Sequence, residues 1–360
     1  MLADPGSAAR VSRLIQDSVD PKTRGTYTSG FKSLVRFAEP RGLPFLPTDE
    51  VTLIAWAESV CPEPLAPDSV VKYCSGIRKH HLESGFPWVA TGLLYKMAIR
   101  ALFKRHPRSE RGLKVPLTLS LLKRLAKLLK GWPKPKAMSW DDLVFITASA
   151  LGFAAALRGG EFLASRRSDR PILQARWVVT DDHGVHVSIP KPKTMHQLAF
   201  QHSYAGSPPG SASLEDLDAR LWLLAYRARA SSAGVLTTGE HPALVRFDGQ
   251  AVTRDFMVDR TMELLHESKV AVVGPEGLPA KVRAASWRCG YVSSALEANV
   301  QEPTIRAQGR WESQGGMLAY SITELSAVRR AAGAIVAQAA SSPVGVVGCS
   351  GSEQLLLHVR

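Results

Sequence analysis

The sequence predicts a mainly α-helical protein of two domains, the second of which carries a small β-sheet. Three observations support this prediction. Apolar residues recur at helical spacing through residues 9–106 and again beyond residue 117. Alternation of apolar and polar residues, which is typical of a half-buried strand, is confined to residues 176–204. Between the two helical regions, residues 104–118 form a charged connector with proline, glycine and few apolar side chains, as domain linkers do.

The first helical region is predicted to hold four helices. Asp20 and Pro21 can begin the first as its cap and first-turn residue, and the second covers DEVTLIAWAESV, residues 49–60. The third covers residues 66–85 and the fourth residues 92–106. In the third helix, five side chains are predicted to face the core: Val70, Val71, Cys74, Ile77 and Leu82. Basic side chains crowd its other side, where they either meet solvent or bind a polyanion: Lys72, Arg78, Lys79, His80 and His81.

The second region begins with the amphipathic segment LSLLKRLAKLLKG, and Ser139 with Asp142 predicts a capping box that opens a long apolar helix. The strands RWVVTDD and HGVHVSIPKPK flank a turn at residues 181–184, and HQLAFQHS is a candidate third strand. Helical patterns then resume and continue to about residue 340. Residues 341–360 have too few apolar side chains for a domain and are predicted to be a flexible tail.

Composition excludes several classes of protein. The 45% hydrophobic content is normal for a soluble protein, and neither a membrane-spanning run nor a secretory leader is evident. We therefore expect an intracellular protein, nuclear if the source is eukaryotic and cytoplasmic if it is bacterial. The four cysteines are scattered, with no CxxC pair or histidine at ligand spacing, which predicts reduced thiols and neither disulfides nor zinc: Cys61, Cys74, Cys289 and Cys349.

The net charge indicates the kind of partner. A formal charge of +13 and a pI near 9.8 favour a polyanion, because each lysine or arginine placed at a phosphate releases a condensed counterion. Charge alone leaves DNA, RNA and an acidic protein open.

Several residues of the second region are candidates for chemistry, although each has an ordinary structural interpretation when taken singly. Arg158 and Glu161 in LRGGEF can pair across one helical turn. Lys191 and Lys193 follow a strand in PKPKT, where lysines are usually solvated. Arg288 opens a helix in ASWRCG and can pair with a carboxylate as easily as with a phosphate. The remaining candidates are Trp311, in a Gly-Arg-Trp turn, and Tyr320.

In this order and spacing, the candidates resemble the motifs of the tyrosine recombinases, or phage-integrase superfamily. The resemblance covers roughly residues 10–335, and TRGTYTSGFKSLVRFA and LAPDSVVKYCSGIRKHH resemble helices of that family's core-binding domain. It implies a helical, SAM-like core-binding domain at residues 9–106 and a linker at 107–116. An α+β catalytic domain would follow at 117–340. Four residues would bind DNA from the first domain: Lys72, Arg78, Lys79 and Arg105.

The resemblance also implies a mechanism and a role for each candidate. Arg158 and Arg288 would bind the reacting phosphate, because two bidentate guanidiniums suit a phosphorane. Lys193 would protonate the leaving oxygen, with Lys191 as the alternative, and Trp311 would donate a hydrogen bond. Tyr320 would be the nucleophile, and Glu161 would support Arg158. No metal or cofactor is expected. The partners would be double-stranded DNA and further copies of the protein, assembled on DNA as a dimer or tetramer.

One position departs from the family pattern. The family usually has histidine three residues before the second arginine, and this chain has Ala285 there. A general acid or base contributes about 10²–10⁴-fold, so the change favours either a slow enzyme or a catalytically inactive, recombinase-derived DNA-binding protein. His183, His186, His196 and His202 lie near the predicted hairpin. The leading interpretation is the integrase or recombinase of a mobile element. Type IB topoisomerases share this chemistry, but the short chain and the form of the N-terminal domain fit recombinases better. The sequence also leaves open an unrelated helical protein with a basic surface.

Overall fold

A computed structural model of the chain describes residues 10, 13–15, 18–90, 92–106, 114–164, 172–190, 199–207, 212–270, 281–318 and 320. The chain divides into two compact units, Met1–Arg111 and Gly112–Arg360. Most described residues are helical and one three-stranded sheet is present, which confirms the predicted fold class. Most of the predicted linker, the predicted tail, Lys191, Lys193 and His196 lie outside the described residues.

The described part of the first unit includes the helices α1 (Pro21–Ala38), α2 (Glu50–Val60), α3 (Pro67–Glu83) and α4 (Leu93–Arg105). Asp49 caps α2, where its carboxylate accepts a hydrogen bond from the Thr52 backbone N–H at 2.6 Å. Apolar side chains from α1, α2 and α3 meet in one core, which includes Leu34, Leu53, Trp56, Val70 and Ile77. No helix among the described residues has the length and apolar content needed to cross a bilayer.

The predicted faces of α3 need three corrections. His81 is fully buried, and its Nε2 accepts a hydrogen bond from Thr48 N–H at 2.8 Å while Nδ1 lies 3.0 Å from the Ile77 carbonyl oxygen. Val71 and Leu82, predicted to be core residues, are instead 38% and 53% exposed. The reason is the helical period, because residues 70, 74, 77 and 81 form one continuous stripe. His81 therefore belongs to the core, and not to the basic face.

The second unit combines eight described helices with the sheet. The helices are α5 (Leu119–Ala126), α6 (Trp140–Ala154), α7 (Gly159–Phe162), α8 (Ala219–Ser232), α9 (Arg254–Glu267), α10 (Ser286–Glu297), α11 (Glu302–Gly309) and α12 (Gln314–Leu318). Strands β1 (Val178–Thr180), β2 (Gly184–Pro190) and β3 (Phe200–Gly206) pair antiparallel in the order β1-β2-β3. The buried face of the sheet, with Val185, Val187 and Ile189, packs into the core of this unit.

Helix α6 lies at the centre of the unit, and nearly all of its side chains are buried. As predicted, Ser139 caps it, with Oγ accepting a hydrogen bond from the Asp142 N–H at 3.1 Å. The Asp142 carboxylate binds Arg260 of α9 at 2.7 Å, so it joins two helices. The predicted helix extended beyond Arg158, but α6 ends at Ala154 and a separate short helix begins at Gly159.

The segment that enters the second unit passes very close to α10. Leu117 N–H donates a hydrogen bond to the Ser286 carbonyl at 3.1 Å. A Cβ atom on Gly290 would lie 1.9 Å from the Leu117 carbonyl oxygen. Only glycine therefore permits this approach, and the approach fixes the start of α10.

We expect Gly290→Ala to destabilise the second unit, because the added methyl group must displace backbone. Overpacking of this kind costs about 1–3 kcal/mol. Thermal melting followed by tryptophan fluorescence should show a melting temperature lower by several degrees. Gly315→Ala is the matched control, since nothing lies within 4 Å of a Cβ at that position. Equal melting temperatures for the two variants would contradict the close approach.

Candidate active site

The candidate site forms where three distant segments meet: the turn between α6 and α7, the start of α10, and the end of α11. Arg288 joins them. Its Nη1 donates a hydrogen bond to the Ala156 carbonyl at 2.6 Å, and its Nη2 donates another to the Gly309 carbonyl. Arg288 is fully buried. The motifs that lie far apart in the sequence therefore share one location.

A specific helix ending brings the Ala156 carbonyl to Arg288. After α6, Leu157 N–H donates to the Gly152 carbonyl and Ala156 N–H to the Phe153 carbonyl, both at 2.9 Å. These two bonds define a Schellman motif, in which the residue after the cap adopts the left-handed conformation. Ala156 has a φ of 46° and occupies that position. The turn that ends α6 thus exposes a carbonyl group to the site.

Helix α11 ends in the same way. Arg310 N–H donates to the Ala307 carbonyl at 3.1 Å, and Trp311 N–H donates to the Arg306 carbonyl at 3.0 Å. The left-handed residue is Arg310, with a φ of 58° and a ψ of 46°. This ending turns the chain sharply, so that the side chains of Arg310 and Trp311 both enter the site.

Glu161 holds two of the arginines. Its Oε2 accepts hydrogen bonds from the Arg158 backbone N–H and from Arg310 Nη2, each at 2.7 Å. Its Oε1 accepts a hydrogen bond from Arg158 Nη1 at 2.9 Å. The predicted pairing of Arg158 with Glu161 is therefore present. The carboxylate also binds Arg310, which was not among the site residues predicted from the sequence.

Arg158, Arg288 and Arg310, together with Glu161, are called the arginine cluster below. Its three guanidinium groups face one carboxylate, a surplus of two positive charges. Burial lowers the pKa of Arg288 to about 9, and the positive charges of Arg158 and Arg310 contribute to this lowering, against the opposing effect of Glu161 and Tyr320. Burial also lowers the pKa of Arg310, against the effect of Glu161. The surplus of positive charge means that the cluster would favour an anion.

Two aromatic rings cover Arg288. Its guanidinium carbon lies 3.9 Å from the ring centroid of Trp311 and 5.2 Å from that of Tyr320. The two rings are 5.5 Å apart, with an interplanar angle of 56°. The backbone of Tyr320 is fixed by its own segment of the chain, because its N–H donates a hydrogen bond to the Met317 carbonyl at 2.8 Å. The predicted nucleophile is therefore packed directly beside a predicted phosphate-binding arginine.

Several hydrogen-bond donors of the site are buried, and no described residue accepts from them. They are Nε of Arg288, Nε and Nη1 of Arg310, and Nε1 of Trp311. An unsatisfied buried donor costs about 1–3 kcal/mol, and more when it is charged. Such a concentration of donors in one place is the arrangement expected for binding an oxyanion.

A lysine that the sequence pattern placed in the linker also reaches the site. Lys114 Nζ lies 5.4 Å from the ring centroid of Tyr320. The chain holds Lys114 through a backbone bridge to Lys281, next to the hydrogen bond from Val115 N–H to the Lys281 carbonyl at 3.2 Å. The only sequence signal for Lys114 is its place just before the predicted start of the second domain. Arg310 had a clearer signal, as the middle residue of the Gly-Arg-Trp turn.

Ala285 occupies the cap position of α10 and contributes only a methyl group. The two described histidines of the strands contact residues of the sheet or of its first turn. His186 Nε2 lies 2.8 Å from Asp181 Oδ2, and His202 Nδ1 lies 3.1 Å from Ser188 Oγ. Their observed contacts thus give no support to the idea that either one replaces the missing imidazole.

The predicted DNA-binding residues of the first unit differ in their surroundings. Lys72 and Arg78 are exposed on α3. Lys79 pairs with Glu83, and Arg105 pairs with Glu58 at 3.1 Å. The Arg105–Glu58 pair is well exposed, and surface ion pairs of this kind contribute little free energy.

No model of a known protein family and no curated protein matches the sequence. Solved structures do match. A lambda integrase dimer bound to a COC′ core site has 14% identity and a TM-score of 0.49 over 87% of this chain and 75% of that chain. The Tn1549 transposon integrase in complex with transposon right end DNA has 11% identity and a TM-score of 0.49, over 90% and 98%. The XerH site-specific recombinase bound to a palindromic difH substrate has 10% identity and a TM-score of 0.47, over 79% and 69%. Each of these three proteins is an integrase or a site-specific recombinase, and each was solved in complex with DNA.

Proposed function

We propose that the protein is a tyrosine recombinase that cleaves and rejoins duplex DNA through a 3′-phosphotyrosyl intermediate on Tyr320. The arginine cluster is the observation that supports this most directly. It buries a surplus of positive charge against a tyrosine ring, and its residues come from three of the five motifs whose order resembles the family. A role in moving a mobile element is the biological setting that this chemistry suits.

In the proposed reaction, Tyr320 Oη attacks the phosphorus of a DNA phosphodiester. A phosphorus–oxygen bond to tyrosine forms as the bond to the 5′ oxygen breaks, and the phenolic proton leaves to a base. The phosphotyrosine ester keeps the energy of the broken bond, so a 5′ hydroxyl can reverse the step and rejoin the strand. Arg158 and Arg288 stabilise the extra negative charge of the phosphorane, and Trp311 Nε1 donates one hydrogen bond to it.

The departing 5′ oxygen needs a proton. Lys193 is the proposed donor, with Lys191 as the alternative, and both follow strand β2. Lys114 is the described lysine beside Tyr320, and its charge would favour an incoming phosphate. The proposed reaction needs no metal or cofactor, because guanidinium groups and a lysine supply the positive charge and the proton.

DNA binding would involve both units and several copies of the protein. The net charge of +13 suits a long phosphate backbone. Lys72, Arg78, Lys79 and Arg105 are the proposed contacts of the first unit. A dimer or tetramer assembled on DNA would bring together the two duplexes whose strands are exchanged.

A nicked suicide substrate tests the proposed function. Duplexes that bind the full chain are first selected from a random-sequence library at low salt, because phosphate contacts weaken as salt rises. A nick near the reacting phosphate then lets the short 5′ strand diffuse away and traps the intermediate. We expect a covalent adduct that resists denaturing gel electrophoresis and is attached through the 3′ phosphate. Tight binding with no adduct on any selected duplex would contradict the proposed chemistry.

Ala285 supports a second candidate, a catalytically inactive DNA-binding protein descended from a recombinase. This candidate keeps the arginine cluster as a phosphate-binding site and lacks the turnover that a histidine would assist. It predicts the same salt-dependent binding and no adduct, so the suicide substrate distinguishes the two candidates.

We expect Ala285→His to cleave the suicide substrate faster than the unmodified protein. The imidazole would add a donor for the developing charge and an acceptor for the phenolic proton. Because a well-placed donor of this type contributes about 10²–10³-fold, even an imperfect fit should give a measurable increase. The measurement is the single-turnover rate at saturating DNA, which removes any effect on affinity. Ala285→Leu is the matched control for added volume. Equal rates for the two variants would contradict the expected role of this position.

A further inference from the structure

Arg310 occupies a backbone position that arginine does not favour. It has left-handed dihedral angles, with a φ of 58° and a ψ of 46°, at the end of α11. Glycine or asparagine usually fills this position, and another residue costs about 1 kcal/mol or more. Strain of this kind is concentrated at functional sites, where the side chain gives something that glycine does not.

The Arg310 side chain lies between the two arginines that were predicted to bind phosphate. It is 8% exposed, and its Nη2 binds the Glu161 carboxylate at 2.7 Å. The same carboxylate binds Arg158. Nη2 also lies 3.4 Å from the Ala156 carbonyl oxygen, which accepts from Arg288 as well. Arg310 thus shares one acceptor with each of the other two arginines.

Holding Glu161 uses only part of this guanidinium group. Nε and Nη1 of Arg310 are buried, and within the described part of the chain nothing accepts a hydrogen bond from them. Nε of Arg288 and Nε1 of Trp311 are in the same condition. A purely structural role leaves these donors unexplained, since a smaller cation or an amide could bind one carboxylate oxygen. An oxyanion bound beside the Arg310 guanidinium would give its free donors an acceptor.

The charge of the cluster agrees with the charge of the reacting group. A phosphodiester carries one negative charge, and the phosphorane formed from it by a phenolate carries two. The arginine cluster has a surplus of two positive charges only when Arg310 is counted. A site that matches the charge of the transition state better than that of the bound substrate accelerates the reaction.

We propose that Arg310 is a third phosphate-binding guanidinium of this site, beside those of Arg158 and Arg288. This inference rests on the proposed function, because it names a further residue that contacts the reacting phosphate. It makes Arg310 a catalytic residue, and not merely the partner of Glu161.

A substrate with a neutral reacting group tests the inference. A methylphosphonate replaces one charged non-bridging oxygen with a methyl group, so its transition state carries one negative charge less. We expect Arg310→Gln to slow adduct formation on the phosphodiester by about 10²-fold or more, the usual effect of removing one such donor. On the methylphosphonate, the loss should shrink to about tenfold or less. Arg310→Lys, which keeps the charge, should lie between wild type and Arg310→Gln.

Two further variants show whether a slow rate of Arg310→Gln results from misfolding. Arg310→Gln combined with Glu161→Gln removes the carboxylate that would otherwise lose a partner, and melting temperatures show whether each variant is folded. Arg229→Gln is the control, because Arg229 is a half-buried arginine outside the site and donates to the carbonyls of Pro135 and Met138. It should behave as wild type on both substrates. An Arg310→Gln protein that is folded and equally slow on both substrates would overturn the inference and leave Arg310 a positioning residue.

A binding measurement covers the case in which the wild type forms no adduct. Selected duplexes with one methylphosphonate at each position in turn show where a phosphate charge matters. The inference predicts a position whose neutralisation weakens binding of the wild type and of Arg229→Gln, but not of Arg310→Gln. It is overturned if neutralisation weakens all three proteins equally, or if the wild type binds no duplex. If neutralisation at one position weakens binding of the wild type and of Arg229→Gln but not of Arg310→Gln, and no adduct forms, the phosphate contact of Arg310 is supported while the proposed cleavage chemistry fails.

Discussion

Replacement of Tyr320 with phenylalanine is expected to abolish the covalent protein–DNA adduct while DNA affinity stays nearly unchanged. The variant loses one oxygen atom, the only atom of this side chain that can attack phosphorus. The ring remains, and with it the packing against Trp311 and the contact with the Arg288 guanidinium. Adduct formation on the suicide substrate should fall below detection, and binding titrations should give similar dissociation constants.

Tyr291 provides a control from the same neighbourhood. It packs partly buried against the same small apolar cluster as Tyr320, and burial raises the pKa of its phenol. Tyr291→Phe should therefore keep the adduct. An adduct that survives Tyr320→Phe and disappears in Tyr291→Phe would show that the nucleophile has been assigned to the wrong tyrosine.

Arg288→Lys is expected to have the next largest effect, a loss of about 10²–10³-fold in the single-turnover rate. Lysine keeps the positive charge but has a single ammonium group. It cannot hold the Ala156 and Gly309 carbonyls in the geometry of the guanidinium and also offer two parallel donors to a phosphate. It also presents no flat surface to the ring of Trp311.

The Arg288→Lys measurement needs both rate and stability. Single-turnover rates at saturating DNA isolate the chemical step, and thermal melting reports whether the second unit is folded. Arg229→Lys serves as the control for losing a guanidinium that binds two backbone carbonyls outside the site. A folded Arg288→Lys protein with the rate of the wild type would contradict a phosphate-binding role for Arg288.

The sequence predicted those features that depend on local patterns. The cap at Ser139 could be predicted because it is a polar residue just before a long apolar run. The sheet could be predicted because apolar and polar residues alternate in only one segment of the sequence. The association of Arg158, Arg288, Trp311 and Tyr320 came from the order of short motifs, since nothing in any one motif identifies the others.

Other features depend on contacts that no local pattern encodes. Ala156 and Arg310 end their helices in the left-handed conformation, yet neither is the glycine that signals such an ending. The predicted α6 therefore ran beyond its true end, and Arg310 was omitted from the predicted site. His81 was assigned to the basic face because histidine is polar, whereas its two ring nitrogens are satisfied by backbone groups inside the core.

The contact between Gly309 and Trp311 restricts how this site can change over generations. A Cβ atom on Gly309 would lie 1.5 Å from Cζ3 of the Trp311 ring. Any side chain at position 309 would therefore push the indole away from Arg288, which it now covers. A smaller residue at position 311 would remove that collision but also the hydrogen-bond donor. A substitution at either position alone therefore weakens the site. We expect the residues at positions 309 and 311 to change together during evolution.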